Sequence, residues 1–506
     1  MVNTDRVIRR RTLLGGGLAL GGLAVAGQAS AARRTGPDWA RLRTYLTGDL
    51  VLPSDAGYPV AKQLDNGYFD TISPQGVAYC DTVADVRAVL SFAQHNDLHV
   101  AVRSGGHSGA GYSTTTGLVL DTSRLRAVRV GTSTVTIGPG THGVDAIAAL
   151  SPQGLALVTG SCPTVCAGGY IQGGGFGPLS RKNGMACDRL VSAEVVLADG
   201  TVVCCDATHE PDLYWALRGG GGGNFGVVTK YEVRPVQVTR LPTFLVTWPW
   251  AAAAAVIAAF QQWMLAAPED LESNVTVLQG GPSPTVMVSG SWQGGDPAGV
   301  EPYLNSLVSA VGAAPQSRAV TDASYRDAMM RAFGCADKTT EQCHRVGDNP
   351  EALLQRHSFA ASRGRMISSA VPAAGIDEML TAFAAPGAPG QFKVMNLTWL
   401  GGRVNRPART DTAYVHRSTL AILGYTASLP TFTPTPEAEA AAAAWTDGGM
   451  TVANRYGNAE NYQNTVDARL TDWRSAYYAE NYPRLVRVKS RYDPARFFRF
   501  PQAIGT

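Results

Sequence analysis

Along residues 83–93 the apolar side chains Val83, Val86, Leu90 and Ala93 recur at three- and four-residue intervals, the spacing that collects side chains on one face of an α-helix. Thr82 stands at the N-cap position and Asp85 follows three residues later, a capping-box pair that predicts a helix beginning at residue 83. The period then changes. Residues 98–102, 118–120, 135–137 and 193–197 are short β-rich runs bounded by Gly, Ser and Asp, and Asp199-Gly200 marks a turn into a further run at 201–203. Beyond Pro235 the glycine density falls. Residues 243–250, 275–278, 286–292 and 394–400 then read as strands of an antiparallel sheet, with helical stretches at 251–267 and 437–445. The pattern predicts an α+β chain with no internal repeat. It divides into a glycine-rich part over residues 40–237, a second part over 238–452 that covers the first, and a terminal stretch over 453–506 rich in Tyr, Asn and Arg.

Composition narrows the class of partner. The 506-residue chain is 45% apolar and 16% charged, with a net charge of +3. It therefore has enough apolar surface for two or three cores, and no basic stripe or acidic tail that would select nucleic acid or an anionic membrane. A small-molecule substrate is expected, with no nucleic acid and no stable membrane insertion. Residues 1–31 read as a twin-arginine export signal: Arg9-Arg10-Arg11-Thr12-Leu13-Leu14 precedes a glycine-rich apolar run, and Ala29-Ser30-Ala31 supplies a cleavage site. That run is short and glycine-rich for a membrane span, so an exported, extracytoplasmic protein is expected. The eight cysteines form no dense disulfide framework. Cys335 and Cys343 flank a short polar loop, which leaves open a disulfide or two free thiols. No CxxC pair recurs at zinc spacing and the eight histidines are scattered, so no metal is expected.

Three glycine clusters, at residues 105–111, 168–177 and 219–226, fall within the first part. Each can turn successive backbone N–H groups into one concavity, the arrangement that binds a pyrophosphate. One such cluster is ordinary turn chemistry, but three in one α+β part point to a dinucleotide. The first cluster lacks the G-x-G-x-x-G register and leads toward no clear helix, which argues against a nicotinamide cofactor.

Several longer strings carry a family resemblance: Arg103-Ser104-Gly105-Gly106-His107-Ser108, Gly160-Ser161-Cys162-Pro163-Thr164-Val165, Gly173-Gly174-Gly175-Phe176-Gly177-Pro178-Leu179-Ser180-Arg181, Asn224-Phe225-Gly226, Tyr462-Gln463-Asn464 and Tyr492-Asp493-Pro494. In these the chain resembles the berberine-bridge-enzyme-like branch of the vanillyl-alcohol-oxidase flavoproteins, whose members combine a two-part FAD-binding domain of PCMH type with a substrate domain. The resemblance spans nearly the whole chain after the leader. It implies FAD linked twice, through His107 to the 8α methyl and through Cys162 to C6 of the isoalloxazine. Cys166 is a neighbour of that thiol and not its match. Cofactor contacts are further implied for Arg103, Ser104, Gly105, Gly106, Ser108, Gly168, Gly169, Gly173, Gly174, Gly175, Gly177, Gly226, Val228, Tyr462 and Asn464. Val165 matches a position that controls oxygen access, and its small side chain favours molecular oxygen as the electron acceptor.

The implied activity is oxidation of an alcohol, a sugar or a secondary metabolite, with O₂ reduced to H₂O₂. One departure complicates it. Where many relatives place a tyrosine base, this chain has Thr465, whose hydroxyl is a poor base near neutral pH. Tyr462, Tyr414 and His416 are the candidates to replace it. The same departure leaves open a flavin-bearing binding protein with little turnover, and a dehydrogenase that uses an acceptor other than oxygen.

Overall fold

The computed structural model describes residues 36–506, so residues 1–31, read above as a twin-arginine signal, lie outside the described residues. The capping box forms as the pattern predicts. The Asp85 N–H donates to Thr82 Oγ1 (3.1 Å), the Thr82 N–H donates back to Asp85 Oδ2 (3.0 Å), and the helix runs Val83–His95. Its face of Val86, Val89, Leu90 and Ala93 is fully buried in a cluster with Leu118 and Leu120. These belong to a four-stranded sheet in which Gly76–Tyr79 and Val100–Arg103 flank Leu118–Asp121 in parallel. Val100–Arg103 lies at the edge of that sheet, so the chain leaving it enters the loop at residues 104–108 unobstructed by a further strand.

A second sheet, of five antiparallel strands, is ordered Val128–Val130, Val135–Ile137, Val227–Val233, Leu190–Val196, Val202–Cys205. The turn between its last two strands uses Gly200 at φ +83°, a backbone region that costs glycine little. The third sheet has seven strands, all antiparallel, in the order Ser317–Thr321, Thr243–Pro249, Thr285–Trp292, Leu271–Gln279, Phe392–Trp399, Ala421–Leu429, Phe359–Ile367. Helices Ala253–Ala266, Ala373–Ala384 and Pro436–Tyr456 join it in one core, where Phe260 meets Trp399 and Trp445 meets both Phe383 and Tyr425. Among the described residues no helix is long and apolar enough to cross a membrane.

Three strands of the third sheet escape a reading based on hydrophobic pattern: Ser317–Thr321 at its edge, Phe359–Ile367 and Ala421–Leu429. Phe359–Ile367 carries Arg363 and Arg365, whose charges meet protein: Arg363 pairs with Asp447 and Asp467, and Arg365 with Asn454 and Asp472. Ala421–Leu429 is rich in small residues because its neighbours crowd it; a Cβ on Gly424 would stand 2.8 Å from Asn396 Oδ1. The helix expected at 437–445 runs on to Tyr456 through Gly448 and Gly449. Gly449 is there for packing, since a Cβ on it would overlap the Tyr425 ring at 2.2 Å.

The first two sheets and the third are tied by a buried guanidinium. Arg181 donates to the carbonyls of Leu271 (2.7 Å), Leu400 (2.5 Å), Ala267 and Pro268 (both 3.3 Å). Beside it, burial pushes the Glu272 carboxyl up to about 8, against the opposing pull of Arg181, and Glu272 Oε2 has no hydrogen-bond partner. The folded state therefore holds a proton that the unfolded chain releases above its ordinary carboxylate range, and stability falls as pH rises from there to about 8. Glu272→Gln removes that penalty, which is on the order of a few kcal/mol. The variant is expected to melt several degrees above the parent at pH 9 and close to it at pH 5; thermal melts at both pH values are the check.

Candidate functional site

The loop at residues 104–108 opens on a cleft of about 560 Å³, lined also by residues 160–162, 221–224, 462–466 and 498–502. The His107 ring nitrogen Nε2 lies 2.9 Å from Thr164 Oγ1, and the Cys162 sulfur lies 3.8 Å from the same hydroxyl. His107 and Cys162 thus converge on one threonine although they come from separate loops. His107 Nδ1 is 3.5 Å from Asp65 Oδ2, which also takes a hydrogen bond from His357 Nδ1 (2.7 Å). Burial lowers the His107 imidazole below its ordinary range, with Asp65 pulling the other way. Burial raises the Cys162 thiol, opposed by hydrogen bonds from Thr164. Near neutral pH the site therefore presents a neutral imidazole, hydrogen-bonded to Thr164, and a protonated thiol.

The glycines shape the wall. A Cβ on Gly105 would stand 2.9 Å from the Thr164 carbonyl and 3.0 Å from Cys166 Sγ, so this loop rests directly on the segment that holds Cys162. Gly168 does the same against Ser104 Oγ at 2.9 Å. Elsewhere a side chain would meet open space or only ordinary contacts. A Cβ on Gly169 meets nothing within 4 Å, and on Gly222 and Gly223 the nearest atoms are 3.5 and 3.9 Å away. A concave wall of bare backbone next to an imidazole and a thiol fits the phosphates and ring of a dinucleotide.

Of the residues singled out from sequence, Ser104, Gly105, Gly106, His107, Ser108, Cys162, Val165, Gly168, Gly169, Gly226, Val228, Tyr462 and Asn464 line this cleft. Others do not. Arg103 turns away: its Nε bonds Asp121 and one terminal nitrogen donates to the Ala61 carbonyl (2.8 Å), so it braces the strand end. Gly173, Gly174, Gly175 and Gly177 are packing positions. Cβ atoms there would strike Asn464 Oδ1 at 1.9 Å, the Tyr414 ring at 2.9 Å, the Tyr170 ring at 2.5 Å and the Thr159 carbonyl at 1.8 Å. The second glycine cluster is therefore a crossing point of chain segments, which its composition does not distinguish from a phosphate nest. Gly221, Gly222 and Gly223, together with Tyr112, Tyr478 and Phe500, line the cleft and were not singled out. The third glycine cluster signalled the former; the aromatic residues carried no signal.

Among the three candidate bases only Tyr462 reaches the cleft. Its hydroxyl oxygen accepts from the Gly175 N–H (2.8 Å) and from Asn464 Nδ2 (2.9 Å). Burial raises the phenol well above its ordinary range, and those two hydrogen bonds pull it back. Tyr414 is fully buried behind it, under the Arg417 guanidinium, and its hydroxyl has no partner. His416 is likewise fully buried, with Nδ1 on Glu460 (2.7 Å) and Nε2 on Gln463 Oε1 (3.1 Å). Gln463 in turn donates to the Gly219 carbonyl (2.6 Å). The candidacies of Tyr414 and His416 are corrected on this ground: burial behind the wall turns the first into packing and the second into a brace for residues 460–463. Thr465, which does line the cleft, spends its hydroxyl on the Tyr462 carbonyl (3.0 Å).

The C-terminal residues close the cleft. Lys489, itself buried, bonds Asp493 (2.7 Å) and the carbonyls of Asn224 (2.5 Å) and Phe498 (2.6 Å), while Asp493 accepts from the N–H groups of Phe497 and Phe498. This knot explains the Tyr492-Asp493-Pro494 string and holds Phe498 to Gln502 along the wall.

Known proteins are similar to this chain in sequence and fold. A family described as FAD binding domain matches residues 74–206, and one described as Berberine and berberine like matches residues 461–505. The chain is 27% identical to YgaK of Bacillus subtilis (strain 168), an uncharacterized FAD-linked oxidoreductase, over 91% of this chain and 98% of the relative. It is 28% identical to a chitooligosaccharide oxidase of Gibberella zeae over 85% and 87% of the two chains. The structure of the glucooligosaccharide oxidase from Acremonium strictum superposes with a TM-score of 0.80 at 22% identity, covering 90% of this chain and 97% of that one. With the same α+β architecture and similarity along nearly its full length, the chain is an FAD-linked oxidoreductase that resembles the berberine-bridge-enzyme-like proteins, matching their two families at residues 74–206 and 461–505.

Proposed function

We propose that this oxidoreductase is an exported oxidase that carries FAD through two covalent links, from His107 and from Cys162, and oxidises an alcohol, a sugar or a secondary metabolite with O₂ as acceptor. The observation that carries the reading is the convergence of the His107 imidazole and the Cys162 thiol on the Thr164 hydroxyl inside the glycine-walled cleft. It is supported by the glucooligosaccharide oxidase compared above, whose flavin is described as 6-S-cysteinyl, 8α-N1-histidyl FAD. Two of the relatives are named as oligosaccharide oxidases, which favours a carbon bearing a hydroxyl as the site of oxidation.

Bound FAD would supply the two-electron acceptor for the hydride of that carbon. The chain supplies the rest. Gly168, Gly169 and Gly221 to Gly223 present backbone to the cofactor. Tyr462 is the group that handles the substrate hydroxyl proton, with its oxygen held by Gly175 and Asn464 and its ring against Phe176. Val165 lines the wall beside Cys162, and its small side chain leaves room for oxygen. Covalent attachment suits an exported protein, since a lost cofactor is not replaced outside the cell.

Acid precipitation tests the links. The yellow colour of the parent is expected to stay in the pellet, with one FAD shared between the peptides that hold His107 and Cys162. His107→Ala and Cys162→Ala are each expected to retain flavin in the pellet through the remaining link, and the double variant to release all of it. Flavin that washes out of the parent protein would sink the two-link reading.

A further inference from the structure

A second, smaller cavity shares Cys162, Val165 and Cys166 with the cleft and has His142 in its wall. Here three side chains that serve none of the roles above come together: His142, Asp145 and His344 bring one ligand atom each to within 4.8 Å of one another. His142 is the N-cap of the helix Gly143–Leu150 and Asp145 lies in its first turn, with His142 Nδ1 3.3 Å from Asp145 Oδ2. His344 arrives from a distant part of the sequence, next to Cys343 of the disulfide Cys335–Cys343, and its Nε2 lies 3.1 Å from Asp145 Oδ1. Both imidazoles are more than nine-tenths buried, at 7% and 4% exposure.

The tautomer of His344 is fixed by its surroundings. Its Nδ1 faces the carbonyl of Thr340 at 2.8 Å, and a carbonyl only accepts, so Nδ1 carries the hydrogen of the neutral ring. Nε2 then presents a lone pair, has no hydrogen-bond partner, and faces a carboxylate oxygen. Two electron-pair donors in contact at a buried position call for a positive charge between them.

We propose that His142, Asp145 and His344 form a binding site for one divalent transition-metal ion of the zinc class. Two imidazoles and a carboxylate are a borderline donor set that suits zinc, whereas calcium and magnesium select all-oxygen sites. Tetrahedral zinc with ordinary bond lengths sets ligand atoms about 3.3 Å apart, and the contacts of 3.1 and 3.3 Å already have that spacing. The Thr340 carbonyl on His344 Nδ1 is the outer hydrogen bond that orients a ligating imidazole. The Gly143 and Val144 N–H groups donate to the carbonyls of Val165 (3.0 Å) and Pro163 (3.1 Å). The ion thereby staples the segment behind Cys162 to the loop closed by the disulfide.

The test is a metal titration of the purified, flavin-loaded protein after treatment with a chelator. Zinc is expected to bind at about one equivalent per chain by mass spectrometry after gel filtration, and to raise the melting temperature. Cobalt is expected to give the visible bands of a four-coordinate ion at wavelengths beyond the flavin absorption. His344→Ala and Asp145→Asn are each expected to lose the equivalent, the bands and the thermal shift. Zinc far below one equivalent in the parent protein overturns the proposal and leaves a shared proton as the charge between His344 and Asp145. Stoichiometric zinc retained by both variants overturns it as well, by putting the ion elsewhere. Should one variant fold poorly, the other variant and the parent titration still decide the outcome.

Discussion

Tyr462→Phe is expected to keep its flavin and lose about 10²- to 10⁴-fold in kcat, the range that a positioned acid–base group contributes. The argument rests on what surrounds the hydroxyl. The Gly175 N–H and the Asn464 amide both point at its oxygen and oppose the burial that holds the phenol protonated, so negative charge that develops there during proton transfer meets two donors already in place. Phenylalanine preserves the ring contact with Phe176 and removes only that function. It also strands two buried donors, at about 1–3 kcal/mol, so the variant should melt lower as well. Tyr414→Phe is the control. Its hydroxyl already lacks a partner and lies outside the cleft, so rate and flavin content should match the parent and stability should hold or rise. Steady-state rates, flavin absorbance and melting curves for the two variants give the answer. A Tyr462→Phe enzyme within a few-fold of the parent in kcat would remove Tyr462 from the chemistry.

The second large effect is structural. Gly219→Ala is expected to abolish recovery of flavin-loaded protein. An added Cβ would stand 2.1 Å from the Tyr414 backbone nitrogen and 2.4 Å from its Cα, at a φ of +123° that L-residues avoid. Backbone on backbone leaves no side chain to swing aside. Residue 219 also sits in two hydrogen bonds, donating to the Gln172 carbonyl (2.9 Å) and accepting from Gln463. Relief would shift the wall of the cleft, at a cost of about 4 kcal/mol or more. Gly222→Ala, three residues on, meets only ordinary van der Waals neighbours, the nearest being Gly169 Cα at 3.5 Å. That variant should fold and lose only cofactor fit. Soluble yield and the ratio of flavin to protein absorbance separate the two cases.

The contrast between these neighbouring glycines shows how far the sequence could be read. Local features were legible because local physics makes them: the Thr82–Asp85 capping box, the alternating strands of the sheets and the turn at Gly200 depend on residues within a few positions. The pairing of His107 with Cys162 was legible only through the resemblance of longer strings. What stayed hidden depends on contacts far apart in the chain. Phe359–Ile367 looked polar because its arginines find acids near residues 447–472. Glycines 173–177 looked like a phosphate nest because nothing local reveals that the Tyr462-Gln463-Asn464 segment crosses there. Arg103 and His416 looked chemical because a buried charge and a buried imidazole read alike whether they face a cleft or brace its back.

The knot around Lys489 and Asp493 bears on how the cleft keeps its shape. Phe498 to Gln502 form part of the wall, while Lys489 and Asp493 line no part of it. A substitution at either latch residue is therefore felt by a bound molecule only at second hand, through the wall that the latch holds in place.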